Sequence, residues 1–248
     1  MNSLWLRRFH PAPSGAPRLV CFPHAGGSAS FFFPLSKALS PSVEVLAVQY
    51  PGRQDRRAEE CIDTIADLAD QISGALREWT DHPIFLFGHS MGAILAFEAA
   101  RRLEQAGGPA PTGLFASGRR APSRYRVENV HQHDDDGIVR ELQLLSGTNS
   151  RLLGDGELLR MILPAVRGDY KAIETYRCDD RATVSCPVDV LTGDVDPRTT
   201  IEEACAWREH TTGTFDLRVF SGGHFFLTAH QVEIIKMIST KLTSTSRE

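Results

Sequence analysis

The chain has no run of apolar residues close to the roughly 18 that a membrane-spanning helix requires, so no transmembrane segment is expected. Its first ten residues carry Arg7 and Arg8 with no apolar stretch behind them, so no signal peptide is expected. Cysteine is sparse: Cys21, Cys61, Cys178, Cys186 and Cys205 are odd in number, irregularly spaced and without a C-x-x-C pair. That excludes a disulfide framework or a zinc ribbon and points to a reduced, cytoplasmic protein. An excess of one charge is missing as well. Lys and Arg total 27 against 31 for Asp and Glu, a net charge of −4, which argues against a nucleic-acid partner. No internal repeat is visible, and the residues after Leu242 form a polar tail expected to fray.

What remains, 248 residues with 42% hydrophobic content, suits one α/β domain carrying an insertion and able to bury a large core. Short apolar, β-branched runs recur at Arg18–Phe22, Val43–Gln49, Ile84–Phe87, Gly113–Ser117, Val188–Thr192 and Phe215–Phe220. Most are apolar on both faces, as strands inside a parallel sheet must be. Helical spacing lies between them. Ile65, Leu68, Ala69, Ile72, Leu76 and Trp79 make one stripe, Ala93–Leu103 a second helix, and Ile201–His210 and Val232–Leu242 weaker candidates. The alternation predicts a doubly wound, mostly parallel sheet with right-handed crossovers and helices on both faces.

Between about Pro122 and Arg181 the alternation stops. Ile138–Leu145 and Glu157–Val166 read as short amphipathic helices, with a third near Tyr170–Tyr176. Asp134, Asp135 and Asp136 precede the first of these, where carboxylates suit a helix N-terminus. The expected division is a core of residues 1–121 and 182–248 with a helical lid of residues 122–181 over the C-terminal edge of the strands, where open α/β sheets bind ligands.

Gly88-His89-Ser90-Met91-Gly92 matches the G-x-S-x-G nucleophile elbow of α/β-hydrolases. A strand must turn into a helix so tightly that side chains two places either side of the serine would collide, hence the glycines. The serine then sits at a helix N-terminus, whose dipole favours developing negative charge. Three fixed positions are a weak signal alone. The flanking strand Ile84-Phe85-Leu86-Phe87 and helix Ala93-Ile94-Leu95-Ala96-Phe97 supply the context.

Cys21-Phe22-Pro23-His24-Ala25-Gly26-Gly27-Ser28 follows the first clear strand. One oxyanion donor in such folds comes from the residue after the nucleophile and one from a loop of this kind, which nominates the backbone N–H groups of Met91 and Ala25. A bare Gly-Gly turn is the alternative. A phosphate loop lacks its Lys-Ser/Thr and its glycine spacing here. His24 suits positioning better than proton transfer.

The base should follow the last strand. Ser221-Gly222-Gly223-His224 does so, and the glycines let the loop fold His224 back toward Ser90. The other histidines are less well placed, and His10, His82 and His210 sit in surface-like surroundings. The orienting acid should follow the preceding strand, where Gly193-Asp194-Val195-Asp196-Pro197 offers two carboxylates. Proline holds the residue before it extended, favouring Asp196, with Asp194 left to brace the loop. Serine, aspartate, histidine is the chain order of this fold.

With these pieces in hand, the chain resembles the stand-alone type II thioesterases that serve polyketide and nonribosomal peptide synthases. The resemblance rests on Phe22 to Ser28, Tyr50-Pro51-Gly52-Arg53, the elbow, Ser117-Gly118-Arg119-Arg120-Ala121-Pro122, Leu163 to Tyr170, Glu174-Thr175-Tyr176, Gly193 to Pro197 and Gly222-Gly223-His224-Phe225-Phe226. It implies an α/β-hydrolase fold with a lid. It also implies an editing enzyme of antibiotic-type biosynthesis that removes wrong or stalled acyl groups from the phosphopantetheine arm of acyl or peptidyl carrier proteins. The position matching Asp196 supplies the family's acid. No cofactor is implied, since phosphopantetheine belongs to the carrier. With no carrier or synthase domain between Met1 and the last helix, action in trans, as a monomer, is the expectation.

Expected contacts follow from the lid. Leu142, Leu145, Leu152, Leu153, Met161 and Ile162 are candidates to line an acyl channel, or else ordinary packing residues; His24 and Phe225 are further candidates on the substrate side. Arg119, Arg120, Arg124 and Arg126 form a basic cluster that could dock an acidic carrier, or could pair with Asp134–Asp136. Arg53 could be structural within its turn. Rival readings are an esterase or lipase, an acyltransferase or cyclase using the same acyl-enzyme, and a non-catalytic carrier-binding scaffold.

Overall fold

The structure, a computed structural model, describes residues 4–146 and 156–245. Seven strands form one sheet in the order β1-β3-β2-β4-β5-β6-β7. They are β1 (Leu6–Arg7), β2 (Arg18–Phe22), β3 (Glu44–Val48), β4 (Ile84–His89), β5 (Gly113–Ser117), β6 (Val188–Gly193) and β7 (Phe215–Phe220). All neighbours run parallel except β1 against β3. Helices α1 (Phe33–Leu39), α2 (Ile65–Leu76), α3 (Met91–Gln105), α4 (Asp135–Ser146), α5 (Gly156–Thr175), α6 (Ile201–Cys205), α7 (Phe226–Ala229) and α8 (Gln231–Thr245) complete it. This is the mostly parallel α/β sheet that the alternation predicted, in the α/β-hydrolase architecture that the resemblance implied.

The two-residue period of each strand divides the core. On β2, Val20 and Phe22 pack on one face with Ile65, Leu68 and Ile72 of α2 and Ala96 and Ala100 of α3. Leu19 and Cys21 pack on the other with Leu35 of α1 and Ile234, Ile238 and Leu242 of α8. Both faces are buried, which is why the strand sequences lack polar alternation. At the edge, β7 departs from that expectation: Asp216 and Arg218 face solvent, because no neighbour lies beyond it. The short β1 and the Pro34-containing α1 were not predicted. A two-residue strand and a seven-residue helix carry too little periodicity to register.

Asp134 caps α4, its carboxylate accepting the Gly137 N–H at 2.8 Å. The two helices expected at Glu157–Val166 and Tyr170–Tyr176 are one, α5, which continues through Pro164. Proline in a helix interior costs about 3 kcal/mol. Burial of Leu163, Val166, Tyr170, Ala172 and Ile173 along that helix offsets it. His210 is also corrected. It is fully buried, its ring nitrogens bonded to the Ala182 carbonyl and the Ser123 hydroxyl, each at 2.7 Å. Five free cysteines are present, and among the described residues no helix is long and apolar enough to cross a membrane.

Candidate active site

Strand β4 ends at His89, and Ser90 bridges it to α3 with φ 56° and ψ −120°. Left-handed φ at a non-glycine residue is strained and concentrates at functional sites. The neighbours show why glycine is required. A Cβ on Gly92 would lie 2.0 Å from the Phe22 carbonyl oxygen, and one on Gly88 would lie 2.1 Å from the Gly92 carbonyl oxygen. Only bare backbone lets the first turn of α3 press against the end of β2.

The ends of β6 and β7 bring the other two side chains. His224 Nε2 lies 3.0 Å from Ser90 Oγ. Its Nδ1 lies 2.9 Å and 3.1 Å from the two Asp196 carboxylate oxygens, so Nδ1–H donates there and Nε2 is left to accept from the serine. The Asp196 side chain is inaccessible to solvent, and its Oδ1 accepts the Arg198 N–H at 2.8 Å. Asp194 faces away from the imidazole and accepts the Gly222 N–H at 2.8 Å, tying the acid loop to the histidine loop.

Ala25 and Ser90 line one cavity of about 320 Å³, with Met91 directly after the serine. Among the described residues neither the Ala25 nor the Met91 N–H has an acceptor. Leu142 and Leu145 of α4 and Ile162, Val166 and Tyr170 of α5 form the apolar wall, and His24, Phe31, Phe225 and Thr228 close the other side. Such a chamber, apolar with a few convergent polar groups, suits a hydrophobic acyl group beside a reactive hydroxyl.

The thioesterase domain model matches residues 17–242. The chain is 59% identical over 226 residues to a probable cadicidin biosynthesis thioesterase of Streptomyces griseus, covering 91% of this chain and 62% of that protein. It is 54% identical over 245 residues to thioesterase PikA5 of Streptomyces venezuelae, covering 98% of this chain and 87% of the relative. The chain belongs to the thioesterase family. Among solved structures, the type II thioesterase BorB from the borrelidin biosynthetic cluster superposes with a TM-score of 0.92 at 51% identity, over 98% of this chain and 99% of that one.

In this thioesterase the remaining candidates separate. Met161 is 63% exposed and points away from the cavity, because it lies on the opposite face of α5 from Val166 and Tyr170. Leu152 and Leu153 lie outside the described residues. The arginine cluster is not an open basic surface. Arg120 is 2% exposed and bonded to Glu128, which removes it from reach of a carrier. Arg124 pairs with Glu209 and Arg126 with Glu203, not with the aspartate run. Arg119 is half-buried, and its carbonyl accepts the Trp207 indole N–H at 2.8 Å; it does not line the cavity.

Two more histidines flank His224. Burial, reinforced by the neighbouring His224, pushes His24 down to about 3 and His89 well below the ordinary imidazole value. Both are neutral at physiological pH, so neither adds a positive charge beside His224. His89 Nδ1 meets Ser117 Oγ at 3.0 Å, and its ring lies 5.1 Å from that of His224.

Sequence reasoning missed Asp169. It is 1% exposed and forms a two-bond fork with Arg53, at 2.6 and 2.8 Å. The available signal was a carboxylate on the same helical stripe as Val166, Tyr170 and Ile173, where an apolar residue belongs.

Proposed function

We propose that the chain is a type II thioesterase that hydrolyses acyl groups from the phosphopantetheine arm of carrier proteins, in trans, through an acyl-serine intermediate. The single observation that carries the reading is the unbroken line from Asp196 through His224 to Ser90 at hydrogen-bond distances, opening into an apolar chamber. Likeness to BorB over nearly all of both chains supports the type II assignment.

His224 takes the Ser90 proton as the oxygen attacks the thioester carbonyl. Asp196 holds the imidazole in the required tautomer and stabilises its positive charge. Ala25 and Met91 N–H groups receive the oxyanion; one such donor is typically worth about 10²–10³ in rate. Collapse of the tetrahedral adduct expels the carrier thiolate, which takes the proton from His224 and leaves as the thiol; a thiol pKa of roughly 8.5 makes it a good leaving group. Water, deprotonated by His224, then attacks the acyl-serine, and His224 returns the proton to Ser90.

Residues 122–181 act as a lid whose helices α4 and α5 wall the acyl chamber. One chain supplies every triad member, so a monomer suffices. Unpaired cysteines fit a reducing cytoplasm. A panel of acyl-loaded carrier proteins, with the released acid read by mass, tests the reading. Wild type should clear the thioesters faster than it cleaves small oxygen esters, and Ser90→Ala should lose at least about 10³-fold. Preference for the oxygen esters would mean an esterase instead.

A further inference from the structure

The geometry points to Asp169, fixed by Arg53, as a positioning residue that holds the oxyanion loop in its working shape from the lid helix α5. The inference rests on the proposed acyl-serine reaction and concerns residues to which that reaction assigns no role.

The loop 23–29 between β2 and α1 is held by side chains of other elements at five points, one of them the Ser28 hydroxyl, which accepts from Gln54 Nε2 at 2.8 Å. The Tyr50 hydroxyl donates to the Pro23 carbonyl at 2.9 Å. Asp169 Oδ2 accepts the Gly26 N–H at 2.7 Å. Arg53 Nη1 donates to the Gly27 carbonyl at 3.1 Å, and the Gln49 side chain accepts the Ala29 N–H at 2.8 Å. Four of these anchors come from the turn after β3. Asp169 alone comes from the helical segment. It grips the peptide immediately after Ala25, whose own N–H is the proposed donor. Gly26 has φ +74°, and a Cβ there would lie 2.8 Å from Val166 Cγ2, so α5 seats directly on this peptide.

Asp169 is a curious choice unless position matters more than field. A carboxylate beside an oxyanion hole opposes the charge that develops there. Arg53 removes that objection: its fork neutralises Asp169 and locks the carboxylate in the plane that faces Gly26. One consequence is that the second oxyanion donor is in register only while α5 is seated, so a lid displaced to admit the carrier arm would not present a finished hole.

Asp169→Asn separates position from field. The amide has the carboxylate's outline but turns an NH2 group against one of its donors, so the Arg53 fork and the hold on Gly26 are broken, while the loss of charge leaves Arg53 to make the site more positive. If field dominated, turnover of an acyl-N-acetylcysteamine thioester would hold or rise. If position dominates, kcat falls about 10–100-fold with KM within about threefold, since a donor is displaced rather than deleted. An acyl trifluoromethyl ketone forms a tetrahedral oxyanion on Ser90 and should lose affinity by the same factor. The matching non-hydrolysable amide, which forms none, should bind unchanged. Arg53→Lys keeps the charge without the fork and should show the same split; it carries the test should Asp169→Asn fail to fold.

Unchanged kcat in folded Asp169→Asn or Arg53→Lys, or equal losses for ketone and amide, would overturn the inference. Ser90→Ala distinguishes that from a wrong reaction. If Ser90→Ala is inactive while Asp169→Asn keeps its kcat, only the positioning role falls. If Ser90→Ala stays active, the acyl-serine reading fails and takes the positioning role with it.

Discussion

The strand-end loops that carry Ser90, Asp196 and His224 and the helical segment α4–α5 above them are built by different means. At the strand ends, backbone does the work: glycines permit the close approach of α3 to β2, and main-chain N–H groups fix both Asp194 and Asp196. The helical segment packs on the core through Ala172 and Ile173 and is tied to it as well by charged side chains. Arg198 binds Glu128 at 2.8 Å and also pairs with Glu141 of α4. Arg53 binds Asp169 of α5, and Lys171 pairs with Asp63. Within the segment, Glu174 accepts the Val130 N–H at 2.8 Å. Backbone-built turns have one geometry. Side-chain links can be broken and remade singly, which suits the lid role proposed for this segment.

The contrast can be broken at its strongest point first. If the acid is set by backbone, Asp196→Ala should lower kcat about 10²–10⁴-fold, because the imidazole loses its orienting partner, while the fold persists. Asp194→Ala should cost less than about tenfold in kcat and act mainly on stability, through the lost Gly222 bond. Steady-state kinetics on both variants decides; equal losses would erase the distinction between the two carboxylates.

A second variant sharpens the difference from the lid side. Arg198→Met removes both charged links from the acid loop to the lid but leaves the Arg198 N–H on Asp196. A loss of about 1–3 kcal/mol in a urea titration is expected, with a smaller effect on kcat, because Glu141 and Glu128 are only partly buried. A kcat loss as large as that of Asp196→Ala would show that the side-chain network, not the backbone, holds the acid.

A separate effect, on stability alone, lies in its pH dependence. His24 is held neutral by burial, with its folded value near 3 against 6.5 for the free group. The unfolded chain therefore binds that proton first, so stability is whole above about pH 6.5 and declines as pH falls toward 3. One such histidine contributes at most about 1.4 kcal/mol per pH unit. His24→Phe, followed by denaturant titration between pH 7 and 4, should flatten the acid slope by up to that amount. An unaltered slope would place the proton uptake elsewhere.

The same contrast explains what could be read from sequence. Gly88 and Gly92 announce the elbow because their requirement is local steric exclusion, written within five residues. His224 and Asp196 are findable because each follows a recognisable strand, and Pro197 favours the second of two aspartates. The lid is harder. Nothing local to Asp169 names Arg53, 116 positions away, as its partner. The expected split of α5 fell after Val166, at Arg167-Gly168-Asp169, because local propensity is visible and tertiary burial is not. Arg120 looked like part of a basic surface because its carboxylate, Glu128, follows eight residues later in irregular chain. His210 looked exposed for a similar reason: its partners Ala182 and Ser123 come from other elements.

The central claim is that Ser90, activated by His224, becomes acylated during turnover. Rapid mixing with an acyl-loaded carrier protein, acid quench and mass measurement of the peptide containing Ser90 tests it directly. The expected result is a transient ester of the acyl group on Ser90, formed as the carrier thiol is freed, absent in Ser90→Ala and formed far more slowly in His224→Ala. Release of free acid with no adduct on Ser90, and at the same rate in Ser90→Ala, would contradict it.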